Sequence, residues 1–353
     1  MQAGHALASI PRSTAGLCLA LSLPLGLYLP GALWSLPAGA AAGLEAHFIS
    51  VGQADATLIR CPDSQSYLLI DSADTRYPES SQRFRAYIQK EFEGKPKSIA
   101  VAVASHPHAD HIGSMQWVLE NFTVQTYVDN GEKFDSAMWA RLDKVRKKQV
   151  KQGKLRYING KQVRTAKIEY CPDAGVSLEI FVPWAFQSLS DSNDRSVVVR
   201  LTHRNVSFLF VGDAHDHAEN VMLTQLDEGL RKKLDVQVLK VGHHGSDTSS
   251  TARFVMAVSP EIAIISSGEK GVGTNVRYKH PRFSTLDTYS IWFSNLDKGN
   301  SPPKHPQNGT IWAFDAARKT WRQHDRPRGL WLTTQDGTVV VQSDGNTLNV
   351  VLR

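Results

Sequence analysis

The stretch Ser105-His106-Pro107-His108-Ala109-Asp110-His111-Ile112-Gly113 decides how this chain is read. It sets three imidazoles and a carboxylate within six positions, directly behind the apolar run of residues 99–104. Imidazole nitrogen and carboxylate oxygen are the ligands that Zn²⁺ and similar ions select. In a loop, His106 and His108 can turn toward one ion while Asp110 and His111 face a second. Outward from this loop, short β-branched runs alternate with turns. Residues 47–51, 56–60, 67–70 and 99–104 read as strands, and Asp71 follows the third. Helices are expected over 81–93, 112–121 and 218–228. A hairpin is expected over 196–202 and 207–211, turning at His203-Arg204-Asn205, with further strands over 236–241 and 262–266. The tail is β-rich at 310–314, 330–333, 338–342 and 348–352. Strands interspersed with helices through one long segment predict a layered α/β sandwich.

Composition bounds the rest. The chain has 353 residues, 41% hydrophobic and 21% charged, which excludes a disordered, collagen-like or multi-span membrane protein. Lys and Arg number 40 against 34 Asp and Glu, a formal charge of +6. Arg12 is the last charge before Glu45, leaving the 32 residues 13–44 uncharged. Within them AGLCLALSLPLGLYL spans 15–29, and Ala38-Gly39-Ala40 fits a cleavage signal. Residues 1–40 therefore read as a signal peptide, with Pro24 and Pro30 set against one continuous spanning helix. The alternative is an uncleaved N-terminal anchor, the one case in which the membrane itself is a partner. Either way residues 44–353 are expected outside the cytoplasm: periplasmic or secreted, or membrane-anchored facing outward. Cleavage would remove Arg12 and Cys18, giving 39 − 34 = +5. It would leave Cys61 and Cys171 in an oxidising compartment, as a bridge or as two buried thiols.

The HxHxDH loop resembles the signature of metallo-β-lactamase fold hydrolases. His47-Phe48-Ile49-Ser50-Val51-Gly52-Gln53-Ala54-Asp55 and Leu68-Leu69-Ile70-Asp71 look like that family's opening motifs. Asn193-Asp194-Arg195-Ser196, Val211-Gly212-Asp213, Gly242-His243-His244-Gly245-Ser246 and Lys279-His280-Pro281 follow in the family's order. With the β-rich tail, the set resembles the soluble domain of ComEC-type DNA-uptake proteins over about residues 44–353. The resemblance implies a four-layer αββα sandwich, a single hydrolase domain after the signal segment. It also implies two divalent ions, Zn or Mn. His106 and His108 would hold one, Asp110, His111 and His244 the other, with Asp213 between them; the neighbouring His243 is the alternative to His244 as ligand. Asp110, His243 and His280 are then the catalytic candidates, and His243 or His280 would stabilise phosphoryl oxygens or protonate the leaving group. Asp71 would orient a ligand histidine from behind, and Asn193 and Asp194 would support the same centre.

Departures from the pattern narrow the activity. Most relatives place a ligand histidine between the HxHxDH loop and the later aspartate. Here His203 alone falls between 112 and 212, at the expected hairpin tip. Asn193-Asp194 match the ComEC-type subgroup in that stretch, which argues against a β-lactamase or a glyoxalase. Ser50 stands where the subgroup carries Asp, and Ala54, Ala73 and Ser114 replace glycines, which bears on loop geometry but removes no expected ligand. His215-Asp216-His217 reads as the surface start of a helix. From Arg141 to Lys167 the chain carries eleven basic residues and one acid, Asp143. Such a run is either a solvated face or a track for a nucleic-acid backbone. The expectation is an exported binuclear hydrolase, most simply a phosphodiesterase or nuclease using a metal-bridging hydroxide. The rivals are a small-molecule esterase acting on a phosphocholine ester or lactone, and a catalytically silent DNA-binding module.

Overall fold

In the computed structural model, which describes residues 43–63, 65–185, 187–296 and 309–353, the short apolar runs pair into two large sheets. The expected signal segment lies outside the described residues. The first sheet uses β1 (Leu44–Phe48), β2 (Thr57–Arg60), β3 (Tyr67–Ile70), β4 (Ser98–Val103), β5 (Thr123–Asp129) and β6 (Arg156–Asn159). The second uses β7 (Thr165–Ile168), β8 (Val176–Phe181), β9 (Val198–His203), β10 (Val206–Phe210), β11 (Val238–Lys240) and β12 (Ile262–Ile265). After a separate ribbon of β13 (Thr310–Asp315) and β14 (Thr320–Asp325), the tail divides between the sheets. β15 (Leu330–Leu332) joins the second sheet beside β12, whereas β16 (Val339–Ser343) and β17 (Leu348–Leu352) extend the first beside β1.

Both sheets change character along their width. β1, β2 and β3 pair antiparallel, while β3, β4, β5 and β6 run parallel. β7 through β10 pair antiparallel, while β10, β11, β12 and β15 run parallel. Parallel strands deliver their loops to one sheet edge, where α/β folds place ligands. β3, β4, β10, β11 and β12 thus lead directly into Asp71, Ser105–His111, Asp213, His243-His244 and Ser266.

The strands are buried on both faces, hence their nearly continuous apolar runs. Between the sheets pack Val101, Val103, Ile180, Val199 and Ile264, and Phe48 stacks on Phe210 with ring centroids 5.8 Å apart. Helices Pro78–Glu91, Met115–Asn121 and Ala137–Lys151 close the outer face of the first sheet with Phe84, Ile88, Val118 and Leu142. Helices Asp216–Thr224, Ala252–Val258 and Phe283–Leu296 close the second with Val221, Phe254 and Tyr289. This is the αββα order. Cys61, just past β2, is bonded to Cys171, just past β7, with Cα atoms 6.1 Å apart. The disulfide joins the two sheets.

Three local expectations shift. The strand expected over 47–51 lies at Leu44–Phe48, because those residues pair with Val339–Ser343 on one side and with Thr57–Arg60 on the other. The helix expected over 112–121 is two, Ala109–Ile112 and Met115–Asn121. At the break, a Cβ on Gly113 would lie 2.4 Å from the Ala73 carbonyl, so only glycine allows the approach. The helix expected over 218–228 ends at Thr224, and a new one starts at Glu228 behind the Asp227 cap.

Candidate metal centre

The loop after β4 brings His106 and His111 inward, both at most 1% exposed, while His108 is only half-buried. Asp213, 2% exposed, sits opposite them. Its Oδ2 lies 3.1 Å from His111 Nε2, 3.5 Å from His244 Nε2, 3.8 Å from His243 Nε2 and 3.9 Å from His106 Nε2. His106 Nε2 is 3.0 Å from His108 Nδ1, and His244 Nε2 is 3.8 Å from Asp110 Oδ2. The expected ligands His106, His108, Asp110, His111, Asp213 and His244 therefore converge on one spot. His106, His111 and Asp213 form one compact group, and Asp110, His111 and His244 another.

The far side of each ring fixes which nitrogen faces the spot. His111 Nδ1 donates to Asp71 Oδ2 at 2.8 Å, and His244 Nδ1 donates to the Ser266 carbonyl at 2.9 Å. Ser105 Oγ donates to Asp71 Oδ2 at 2.8 Å, which leaves it to accept from His106 Nδ1 at 3.1 Å. All three rings then offer an Nε2 lone pair inward, the arrangement a metal-binding imidazole needs. His111 Nε2, His244 Nε2 and Asp213 Oδ1 are buried and make no hydrogen bond. Buried polar atoms in this state cost free energy unless something else satisfies them. Their nitrogen and oxygen chemistry fits Zn or Mn.

Electrostatics agree with that fit. Burial alone would lower the pKa of His111, but the Asp213 and Asp71 carboxylates outweigh it and raise it well above the ordinary value. At His244 burial is likewise outweighed, by Asp213 and Asp55, and its pKa rises to about 10. The carboxylates that favour positive charge on these two rings would equally favour a cation at their Nε2 atoms. His106, buried and beside His111, is lowered.

Strain marks the same place. Asp71, His243 and His244 all adopt left-handed φ, at 59°, 46° and 54°, which persists only where surroundings enforce it. Asp71 is fixed by Ser105 N, which donates to its Oδ1 at 2.8 Å. Asp194 Oδ1 accepts from His215 N and Ala218 N, each at 3.1 Å, pinning the helix that follows Asp213. Asn193 Nδ2 lies 3.1 Å from His215 Nε2.

Several site residues escape the sequence reading. His215 is not merely the surface start of a helix: its Nε2 lies 2.9 Å from His243 Nδ1, because the residue preceding that helix faces back toward the Asp213 loop. Asp216 and His217 of that trio are the exposed ones, while His215 is partly buried. Asp55 pairs with Lys240 Nζ at 2.7 Å and reaches His244 Nδ1 at 3.3 Å, all three buried. A lysine inside an otherwise apolar strand was its available signal. His203 closes β9 and bonds Ser343 Oγ at 3.2 Å, apart from the cluster. A cleft of about 470 Å³ opens over the centre, lined by Arg76, His108, Asn193, His243, Tyr278 and His280 among others. His280 is 3% exposed, and Gln53 Nε2 donates to its Nδ1 at 3.1 Å. The Gln53 orientation follows from Gly268 N, which donates to Gln53 Oε1 at 3.0 Å.

A family model described as the metallo-beta-lactamase superfamily matches residues 49–269. ComE operon protein 3 of Bacillus subtilis is 26% identical over 289 residues, covering 76% of this chain and 32% of the relative. Competence protein ComA of Neisseria gonorrhoeae is 36% identical over 107 residues, 30% of this chain and 14% of the relative. The chain thus spans a third or less of these relatives' length. Among solved structures, the metallo-beta-lactamase fold protein YhfI of Bacillus subtilis aligns with a TM-score of 0.41 at 10% identity, covering 67% of this chain and 90% of that one.

Proposed function

Because the chain belongs to the metallo-beta-lactamase superfamily, we propose that it is an exported binuclear metal-dependent hydrolase acting on phosphodiester bonds. The observation that carries this is the set of orphaned inward atoms, His111 Nε2, His244 Nε2 and Asp213 Oδ1, of which His244 and Asp213 line a cleft walled by Arg76 and His280. His106 and His108 would hold one ion, Asp110, His111 and His244 the other, with Asp213 reaching both. When bound, two divalent ions supply Lewis-acid polarisation of a phosphoryl oxygen and a nucleophile from water at neutral pH.

The protein's own groups do the rest. Asp71, Ser105 and the Ser266 carbonyl lock the ligand rings in the tautomer that presents Nε2. Since Gln53 donates to His280 Nδ1, neutral His280 carries its proton on Nε2 and can donate it to a phosphoryl or leaving-group oxygen. His243, steadied through Nδ1 by His215 and by Thr248 at 2.8 Å, presents its Nε2 edge to the cleft. Arg76, bidentate to Asp74 and half-exposed, brings a fixed positive charge to the mouth, suited to a phosphate. The likeness to ComE operon protein 3 and competence protein ComA agrees with the resemblance to ComEC-type DNA-uptake proteins, which favours a nucleic-acid substrate over a lactone or phosphocholine ester. So does the basic chain.

The test is a substrate panel on Zn- or Mn-loaded protein. Bis-p-nitrophenyl phosphate and DNA should be hydrolysed, and Asp213→Ala should abolish both. Turnover of lactones or phosphocholine esters with no phosphodiester activity would overturn the reading.

A further inference from the structure

Beside the metal cleft lies a second hollow of about 320 Å³, and His280 lines both. Trp312 and Trp321, from the β13–β14 ribbon, are its large surfaces. Trp312 stays 42% exposed while its strand neighbours Ile311 and Ala313 are buried. The pleat explains this: Trp312 and Phe314 share one face of β13, and Trp321 stands opposite Phe314 across the ribbon. Phe314 and Trp321 meet edge to face at 5.8 Å between centroids. Backbone bonds tie this face to the catalytic loops. Phe314 N donates to Pro281 O at 3.0 Å, and Arg282 N donates to Gly245 O at 2.8 Å. The aromatic surface is therefore held in register with the cleft.

Cations border it. Lys270 Nζ lies 3.6 Å from the Trp312 ring centroid, and Lys279 Nζ lies 4.6 Å from that of Phe314. Arg282 stands 5.3 Å from Phe314 and 3.5 Å from Asp247. Glu269 also lines the hollow, so three cations face two acids. A flexible lysine over an exposed indole is a replaceable cover, which can swing onto a phosphate and clear the ring for a base. Stacking on aromatic side chains beside cations is how unpaired strands are held. A quaternary ammonium group would be repelled by these cations, and a neutral sugar would leave them unmatched. Bases within a duplex are already stacked on one another.

We infer that the β13–β14 face is a base-stacking subsite for single-stranded nucleic acid. It holds on Trp312 a nucleotide adjoining the one whose phosphate enters the metal cleft. The inference rests on the phosphodiesterase reading for what occupies that cleft. Its test compares binding of a cleavage-resistant phosphorothioate oligothymidylate with that of an abasic strand of equal length and backbone, on the full metal-loaded protein. The thymidylate should bind roughly 5- to 150-fold more tightly, the span expected for one stacked base. Trp312→Ala should erase that ratio and Trp312→Phe should restore part of it. Equal affinities in the wild type, or a ratio that survives Trp312→Ala, would overturn the subsite. Bis-p-nitrophenyl phosphate carries no nucleobase and tests the chemistry separately. A protein that fails to cleave it yet shows the Trp312-dependent ratio would refute the phosphodiesterase reading and leave the subsite standing.

Discussion

His243 and His244 are neighbours with different surroundings, and the difference is measurable. His244 is 1% exposed, held through Nδ1 by the Ser266 carbonyl, whereas the His243 side chain is 18% exposed and held by His215 and Thr248. We expect purified protein to carry close to two Zn or Mn ions per chain by elemental analysis. His244→Ala should lose metal and activity together. His243→Ala should keep its metal and lose roughly 10²- to 10⁴-fold in turnover, the usual worth of a positioned acid–base group. Metal loss in His243→Ala with retention in His244→Ala would reverse the assignment. A second residue-scale prediction concerns Glu45, which accepts from His47 Nε2 at 3.0 Å and Gln342 Nε2 at 2.9 Å and pairs with Arg60 at 2.9 Å. The His47 hydrogen bond above all, then Gln342 and Arg60, hold its pKa at about 2 against an ordinary 4.5, with burial opposing. Between those values the unfolded chain binds more protons, so this contribution is complete above pH 4.5 and disappears as pH falls through 2. Glu45→Gln should flatten that acid limb of the urea midpoint, and an unchanged slope would refute the clamp. The ligand residues were legible because imidazole and carboxylate cluster visibly in HxHxDH and HHGS. Asp55, Lys240 and Arg76 were not, because their roles arise from strands and loops distant in sequence.

At the scale of elements, Ala137–Lys151 changes how the basic run is understood. Arg146 and Lys147 both pair with Asp143, and Arg146 lies 3.9 Å above the Tyr157 ring. Arg146 is thus packed against the protein, while Arg141, Lys144, Lys148 and Lys151 are exposed. If this helix tracks a nucleic-acid backbone, each phosphate contact should add about 0.9 to the slope of log affinity against log salt on duplex DNA. Arg141, Lys144, Lys148 and Lys151 changed together to Gln should flatten that slope almost equally across sequences, since phosphate contacts carry no base information. A slope equal to wild type would make the run a solvated face. The sandwich itself was legible from β-branched runs punctuated by turns. Element ends were less so, because contacts made in three dimensions set them: the Gly113 approach to Ala73 O split one helix, and the Asp227 cap began another. The tail read as one β-rich block, yet β15 and β16 belong to different sheets, a division that only pairing partners decide.

For the whole molecule, the Cys61–Cys171 bond is a covalent cross-link between two sheets that also pack by their apolar faces. The sequence left both a bridge and two buried thiols open, with the thiols the plainer reading, since spacing of 110 residues says nothing of proximity. Closing a loop of that length is worth about 4–5 kcal/mol in the chain-entropy model, a large share of a domain's net stability. Such a bond persists in an oxidising compartment, which couples it to the proposed export and to a mature chain beginning near Ala41. Among the described residues neither cysteine groups with the site histidines, so the bond should affect folding stability without changing metal content. We expect reductant to lower the urea unfolding free energy of the wild type by about 4 kcal/mol. It should have no effect on the Cys61→Ser/Cys171→Ser double variant, which should match the reduced wild type and retain its metal. Two titratable thiols at positions 61 and 171 in protein recovered from outside the cytoplasm, before any reductant is added, would defeat both the bridge and this account of how the sheets are held.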